Sequence, residues 1–198
     1  MRHTYICHIN EIIIMNDTKT KIIAAAIKAF SKDPNAPMEE IAESINLSRR
    51  TLHRYFSGKS ELIEEIIDYA SSFCLQKTKE SIELSTDPKT QLYTMFLNDI
   101  KSGYQFRFLY NYRESYKGME NESSDFREMM QIFRDLLKKL QTNGLFNSQL
   151  TMDWIESLYF STIDAAINLI LENELRTQEI VEMAWESYFN AIINHSKK

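Results

Sequence analysis

Apolar residues recur every three or four positions in the first part of the chain, which is the spacing of amphipathic helices. A first helix is predicted over residues 18–32, following the N-cap candidates Asp17 and Thr18. Its apolar face holds Ile22, Ile23, Ala26, Ile27 and Phe30. A second, short helix is predicted over residues 37–45, because Pro37 suits the first helical position. Its apolar face holds Met38, Ile41, Ala42 and Ile45.

The residues after the second helix carry the signals of a sharp turn. Asn46 tolerates the left-handed backbone conformation, Leu47 can fill the corner, and Ser48 can cap a third helix. That third helix contains Leu52, Tyr55 and Phe56. Two short helices joined by a tight turn are typical of a helix-turn-helix.

Longer amphipathic segments follow the third helix. They predict a long fourth helix to about residue 83, a fifth over 89–102, a loop at 118–125, a helix from Phe126 to the stop at Asn143 and Gly144, and two helices over about 150–173 and 177–195. The predicted fold is all-α. An N-terminal three-helix helix-turn-helix domain is joined through a long helix to a C-terminal helical bundle.

One segment gives a conflicting signal. In residues 104–113, YQFRFLYNYR, aromatic side chains alternate with other residues, which is typical of a strand. A lone strand without a pairing partner would leave its backbone polar groups unsatisfied. We therefore expect a helix here, with a strand as the alternative.

Composition supports a helical protein and excludes several classes. The 198 residues are 43% hydrophobic and include only four Gly and three Pro, fewer turn formers than a β-sandwich needs. Two cysteines, Cys7 and Cys74, are too few for a disulfide framework. No apolar run approaches the roughly 20 residues that span a bilayer, so a cytoplasmic protein that does not enter the membrane is expected.

Residues 1–16 are treated as an N-terminal extension that is poorly ordered. Their apolar run is short and no small-residue cleavage site follows it, which argues against a signal peptide. His3, Cys7 and His8 lack the paired spacing of zinc motifs, so no metal is expected. Met15, just before the first helix, is an alternative initiator.

Positive charge is concentrated in residues 46–59, NLSRRTLHRYFSGK, which contain no acid although the chain has a net charge of −5. A short helix carrying long cations and hydroxyls fits the DNA major groove, which is about 12 Å wide and displays acceptors that Arg grips in bidentate fashion. The predicted DNA contacts are Ser48, Arg49, Arg50, Thr51, His53, Arg54, Tyr55 and Lys59. A solvated basic face is the alternative.

The same region resembles the TetR/AcrR family of transcriptional regulators. The resemblance covers residues 22–66, where IIAAAIKAF, IAESINLSRRTLHRYF and SGKSEL are similar to the first four helices of that family. It implies a DNA-binding domain over 17–62 and an effector-binding and dimerisation domain over 63–198. It also implies a ligand-responsive repressor that binds a palindromic operator in double-stranded DNA as a homodimer.

The sequence departs from the family pattern at three places. The link SKDPNAP between the first two helices is shorter than usual and lacks the customary Gly-aromatic pair. Ala36 stands where the family often has a phosphate-contacting Thr, and His53 where a Tyr is frequent. Ala36 has no side-chain donor for that phosphate contact.

Two further sites are predicted in the C-terminal part. An apolar or aromatic small-molecule effector is expected among helices of the bundle. Its candidate walls are Phe73, Cys74, Phe96, Ile100, Phe106, Tyr110, Phe133, Trp154 and Tyr159. Plain core packing is the alternative for each of these. A homodimer interface is expected at Ser157, Ser161, Ala165, Val181, Trp185, Tyr188 and Ile192, because the last helix is apolar over most of its circumference.

Rival classes are disfavoured by missing motifs. No Glu-x-x-His pair, phosphate-binding Gly loop or nucleophile elbow occurs, so neither an enzyme nor a cofactor is expected. The remaining alternative is a helical bundle whose helix-turn-helix serves only protein–protein contacts. The presence of Lys59 and three arginines in residues 46–59 argues against that alternative.

Overall fold

A computed structural model describes residues 17–116, 123–172 and 176–194. The helices in these residues are α1 (Thr18–Lys32), α2 (Met38–Ser44), α3 (Arg49–Tyr55), α4 (Lys59–Glu83), α5 (Pro88–Ser102), α6 (Tyr104–Tyr116), α7 (Ser124–Thr142), α8 (Met152–Glu172) and α9 (Thr177–Ile192). The predicted all-α fold is confirmed. The expectations for residues 1–16, including the metal candidates His3, Cys7 and His8, lie outside the described residues.

The structure shows the secondary structure of two segments whose sequence signal was conflicting or indicated a loop. Residues 104–113 lie within α6, so the helix is confirmed and the strand alternative is wrong. The only β-type pairing in the described residues is a single antiparallel bridge between Phe146 and Ile193. α7 begins at Ser124, two positions before the predicted start, inside the segment predicted as a loop. Ser124 begins the helix and Asp125 puts an acid in its first turn, a placement that the helix dipole favours.

The chain divides into two compact units. The first comprises the residues up to Cys74 and the segment Lys101–Asp125, and the second comprises Leu75–Ile100 and the residues from Phe126 onward. The first unit thus contains the predicted helix-turn-helix domain together with the first part of α4 and with α6. The predicted functional boundary after residue 62 stays a prediction.

The core of the first unit forms on one face of α1. Ile22, Ala26 and Phe30 are completely buried, and α1 packs against both α2 and α6. Ile41 of α2 and Leu52 of α3 are also completely buried. The apolar positions predicted from helical spacing are therefore the ones that hold this unit together.

The core of the second unit is built on aromatic rings. Tyr159 packs on Phe96 and Phe133 with ring centroids 5.6 and 4.5 Å apart, and Tyr188 stacks on Phe96 at 5.7 Å. Asp99 lies in this core and accepts a 2.6 Å hydrogen bond from the Tyr159 hydroxyl. Among the described residues, no helix combines the length and apolar character needed to span a membrane.

Candidate nucleic-acid interface

The turn between α2 and α3 positions the basic residues. Asn46 adopts φ 56°, the left-handed conformation that the sharp turn needs. The Leu47 amide donates a 2.9 Å hydrogen bond to the Ala42 carbonyl, which fastens the corner to α2. Ser48 then caps α3, because its side-chain oxygen accepts from the Thr51 amide at 3.1 Å.

α3 is too short to be stabilised by its own hydrogen bonds, so its packing decides which face is exposed. Leu52 points inward and is completely buried. The exposed residues of the segment are Ser48, Arg49, Arg50, His53 and Arg54, whereas Thr51 and Tyr55 are half-buried. α3 therefore presents a continuous surface of cations and hydroxyls, the chemistry that recognises phosphates and base-edge acceptors.

The three arginines and His53 of α3 differ in their partners. The Nε of Arg49 lies 2.9 Å from the carboxylate of Glu39 on α2. The Arg54 guanidinium lies 5.3 Å from the centroid of the neighbouring Tyr55 ring. Within the described part of the chain, Arg50 and His53 have no hydrogen-bond or ion-pair partner. Arg50, which has neither an ion pair nor a ring contact, thus has all five of its N–H donors and its full surface to offer a ligand.

Sequence reasoning missed the role of Glu39. Glu39 sits in the first turn of α2, where an acid is favoured by the helix dipole, and that was the only local signal. The ion pair with Arg49 arises because the turn at Asn46 brings the start of α3 back beside α2. Such a contact across a corner cannot be found from spacing along one helix.

Lys59, expected to contact phosphate, is engaged inside its own unit. Its ammonium donates to the carbonyls of Pro34 and Ala36 at 2.9 and 3.1 Å and lies 4.8 Å from the Phe30 ring centroid. These contacts tie the N-terminus of α4 to the link between α1 and α2. At most one N–H of the ammonium then remains for a phosphate.

The same link is held from α6. The Tyr112 hydroxyl donates to the Pro34 carbonyl at 3.3 Å, and the Asn111 side-chain amide donates to the Ser31 carbonyl at 3.2 Å. The link lacks the family's Gly-aromatic pair, and Ala36 within it is 3% exposed. Ala36 therefore offers no side-chain donor and is packed into the unit.

The predicted effector walls have different environments. Phe96, Phe133 and Tyr159 belong to the packed aromatic core, and Cys74, Ile100 and Phe106 are also buried. Trp154 is 54% exposed, so it faces outward from its helix and does not line an enclosed site. Phe73 lines a cavity of about 820 Å³ in the first unit. Tyr110 is half-buried.

The predicted interface residues also separate by exposure. Ser157, Ser161 and Ala165 are exposed along one face of α8, and Val181 and Trp185 of α9 are partly exposed. Tyr188 and Ile192 are 1% and 0% exposed. These two are buried within their own unit, where the apolar arc of α9 packs into the aromatic core. The assignment of the seven residues to a dimer interface stays a prediction.

Part of the first unit is similar to a known protein family. Residues 22–66 match the family model described as bacterial regulatory proteins, tetR family. This part of the chain, from α1 to the start of α4, is therefore similar to that family. A search of curated protein sequences found no match.

Solved structures of the TetR family are similar over almost the whole chain. The ketosteroid transcriptional regulator KstR2 of Mycobacterium tuberculosis superimposes with a TM-score of 0.65 at 12% identity, covering 91% of this chain and 97% of its own. LfrR from Mycobacterium smegmatis, a TetR-like transcriptional regulator in complex with proflavine, gives 0.64 at 17%, covering 89% and 98%. A TetR family regulator from Marinobacter aquaeolei VT8 gives 0.64 at 17%, covering 89% and 96%. These likenesses show that this chain has the same fold as those structures.

Proposed function

We propose that this protein is a ligand-responsive transcriptional repressor that binds a palindromic operator as a homodimer. The observation that carries the proposal is the exposed face of α3, where Arg50 and His53 have no intramolecular partner within a TetR-family domain. Arg50 offers five donors in a planar fork, which matches the O6 and N7 acceptors of guanine. A surface used only for protein contacts would have no requirement for this donor geometry.

Dimer formation is supported by the exposed face of α8. Trp154, Ser157, Ser161, Ala165 and Leu169 recur at three- and four-residue spacing, so they share one stripe of the helix. Trp154 and Leu169 at its two ends are 54% and 44% exposed, which is unusual for large apolar side chains. The small residues between them permit a second helix to approach closely. A second copy of this chain, presenting the same stripe, is the occupant that a two-fold interface requires.

Operator binding by a dimer makes a geometric demand. Two recognition helices must lie about 34–36 Å apart to enter successive major grooves. A ligand that changes this distance changes operator affinity, and reciprocity requires operator to change ligand affinity by the same factor. The bound proflavine in LfrR is a precedent for a small molecule held by a protein of this fold.

The decisive experiment measures DNA binding by purified full-length protein. Fluorescence anisotropy should show saturable binding to a palindromic fragment from near its own gene, with two chains per palindrome. A scrambled fragment of equal length should bind at least about a thousandfold more weakly. If both fragments bind alike, or if neither binds, the helix-turn-helix does not recognise an operator and the protein-contact alternative gains support.

A further inference from the structure

The first unit contains a cavity of about 820 Å³ that has Phe73 as its one residue from the predicted effector walls. Its lining comes from α1, the end of α2, Phe73 of α4, and the junction between α5 and α6. This volume lies within the range of small-molecule sites. All of the lining residues belong to the first unit, so the cavity is a feature of the helix-turn-helix unit itself.

The cavity exists because one face of α1 carries small residues. Ala24, Ala25 and Ala29 line it, and none of them has a side chain long enough to fill the space. Lys21, Lys28 and Lys32 lie on the same helical face and also line the cavity. α1 therefore supplies an apolar floor with long cationic side chains at its edge.

An uncharged hydrogen-bonding side chain also lines the cavity. Gln105 is 6% exposed, and no residue in the described ranges hydrogen-bonds to its side-chain amide. This amide does not belong to the fully buried groups that lack a partner, so it is accessible from the cavity. A ligand head group can therefore hydrogen-bond to it.

The charges around the cavity indicate the sign of the head group. Four lysines line it, Lys101 being the fourth, against two acids, Asp33 and Glu40. The Asp33 carboxylate already accepts a 2.8 Å hydrogen bond from the Asn35 amide. Lys21 and Lys32 are exposed, and their ammonium groups have no ion-pair or hydrogen-bond partner in the described part of the chain. The site is therefore complementary to an anion.

We propose that this cavity binds a small amphipathic carboxylate, with its apolar body on the alanine floor of α1 and its head group between Gln105 and the lysines. The site shares Phe73, but no other predicted wall, with the effector pocket expected among the bundle helices. Ser44 and Ile45, at the end of α2, also line it, and they directly precede the Asn46 turn. An occupant therefore touches the helix-turn-helix without an intermediary. The consequence for DNA affinity, unlike the binding itself, rests on the proposed function.

Binding is tested without DNA by isothermal titration with decanoate below its micelle-forming concentration. Decyltrimethylammonium, which has the same chain length and the opposite charge, serves as the matched probe. We expect saturable binding of one decanoate per chain and at least tenfold weaker binding of the cation. Absence of decanoate binding, or equal affinities for the two probes, overturns the proposal.

Variants locate the site. Ala25→Phe fills the cavity and should weaken decanoate binding at least tenfold, whereas Ala191→Phe, on the exposed surface of α9, should leave it unchanged. Gln105→Leu keeps the volume and removes the amide, and it should weaken binding about five- to tenfold. Circular dichroism confirms that each variant is folded. Unchanged affinity in folded Ala25→Phe protein would show that decanoate binds elsewhere and would overturn the assignment.

The effect on DNA is measured separately. Decanoate should change the affinity of the wild-type protein for its palindromic fragment by about 5- to 150-fold, and Ala25→Phe should abolish that response. Failure of the ligand-free protein to bind DNA contradicts the proposed function but leaves the titration result standing. Failure of decanoate to bind contradicts the site and leaves ligand-free DNA binding intact.

Discussion

Arg49 on α3 and Glu39 on α2 form a 2.9 Å ion pair at the surface expected to meet DNA. Glu39 therefore holds one of the three arginines of α3 and adds a negative charge near a polyanion. Because both side chains are largely exposed, the pair contributes little to stability. Its main consequence concerns DNA affinity and the selectivity of binding.

Glu39→Gln should strengthen binding to operator and to unrelated DNA by about three- to tenfold, because Arg49 becomes available to phosphates. The two affinities are measured by anisotropy at several salt concentrations. Glu43→Gln, on the same helix and with the same charge change, is the matched control and should have a smaller effect. Equal gains in the two variants would mean that net charge matters and the ion pair does not.

Arg50 has the clearest predicted role in base recognition. Arg50→Ala should cost about 1–3 kcal/mol of operator binding and relax base preference at one position, because a bidentate contact with guanine is lost. Binding to operator variants substituted at single positions measures this preference. A uniform loss across all sequences would place Arg50 on a phosphate. Lys139→Ala, an exposed lysine of α7, is the control for general charge loss.

Lys59 should act by holding the α1–α2 link. Lys59→Met keeps the aliphatic stem but removes the charged donor to the Ala36 carbonyl and one of the two donors to the Pro34 carbonyl, so the free energy of unfolding should fall by about 1–3 kcal/mol. Urea denaturation measures the loss. Lys19→Met, which breaks the exposed 2.7 Å pair with Glu65, should cost less than about 1 kcal/mol.

The salt dependence of DNA binding separates the two roles of Lys59. A positioning role weakens DNA binding without changing the slope of log affinity against log salt, whereas loss of a phosphate contact reduces that slope by about one. A reduced slope in Lys59→Met with unchanged stability would restore the original assignment to phosphate.

Local signals explain why the helix-turn-helix was predictable. Asn46, Leu47 and Ser48 each carry a backbone preference or capping chemistry that acts within four residues, and the structure uses Asn46 and Ser48 as expected. For the α6 segment, the helix was predicted from a different rule: a strand needs a partner strand for its backbone hydrogen bonds, and none was available. This rule gave the correct prediction, whereas the alternation of aromatic side chains indicated a strand.

Contacts between distant segments were not predictable in the same way. Lys59 is 25 residues from Pro34, and the cavity in the first unit brings alanines of α1 opposite Gln105. Neither arrangement produces a periodic pattern of residues in the sequence from which it could be predicted. Helical spacing likewise places Trp154 and Tyr159 on one helix, but only packing decides that Trp154 is exposed and Tyr159 buried.

The exposed stripe of α8 predicts the oligomeric state. Ser161→Arg and Ala165→Arg place a long cation at its centre, and each should convert a dimer of about twice 23.4 kDa into a monomer. Ser187→Arg, on the exposed surface of α9, should remain dimeric. Light scattering after size-exclusion chromatography measures the mass. A monomeric wild-type protein, or dimeric arginine variants, would contradict the proposed interface.

Asp99 predicts how stability depends on pH. Burial raises the pKa of Asp99 to about 7, although the hydrogen bond from Tyr159 acts in the opposite direction. Two other groups in contact with this core, Tyr159 and Tyr188, have a pKa raised by burial and stay neutral near pH 7. Asp99 is therefore the group of this cluster whose charge changes near neutrality.

The sign follows from proton binding. Between about pH 4 and 7 the folded protein keeps a proton on Asp99 that the unfolded chain releases, so the free energy of unfolding falls as pH rises through this window and this contribution is constant above it. The full change is on the order of 4 kcal/mol. Asp99→Asn removes the titrating group, so the variant should gain stability relative to wild type between pH 4.5 and 8 in urea denaturation. Asp153→Asn, an exposed acid of α8, is the control. A stability difference between Asp99→Asn and wild type that does not vary with pH would mean that Asp99 does not titrate in this range.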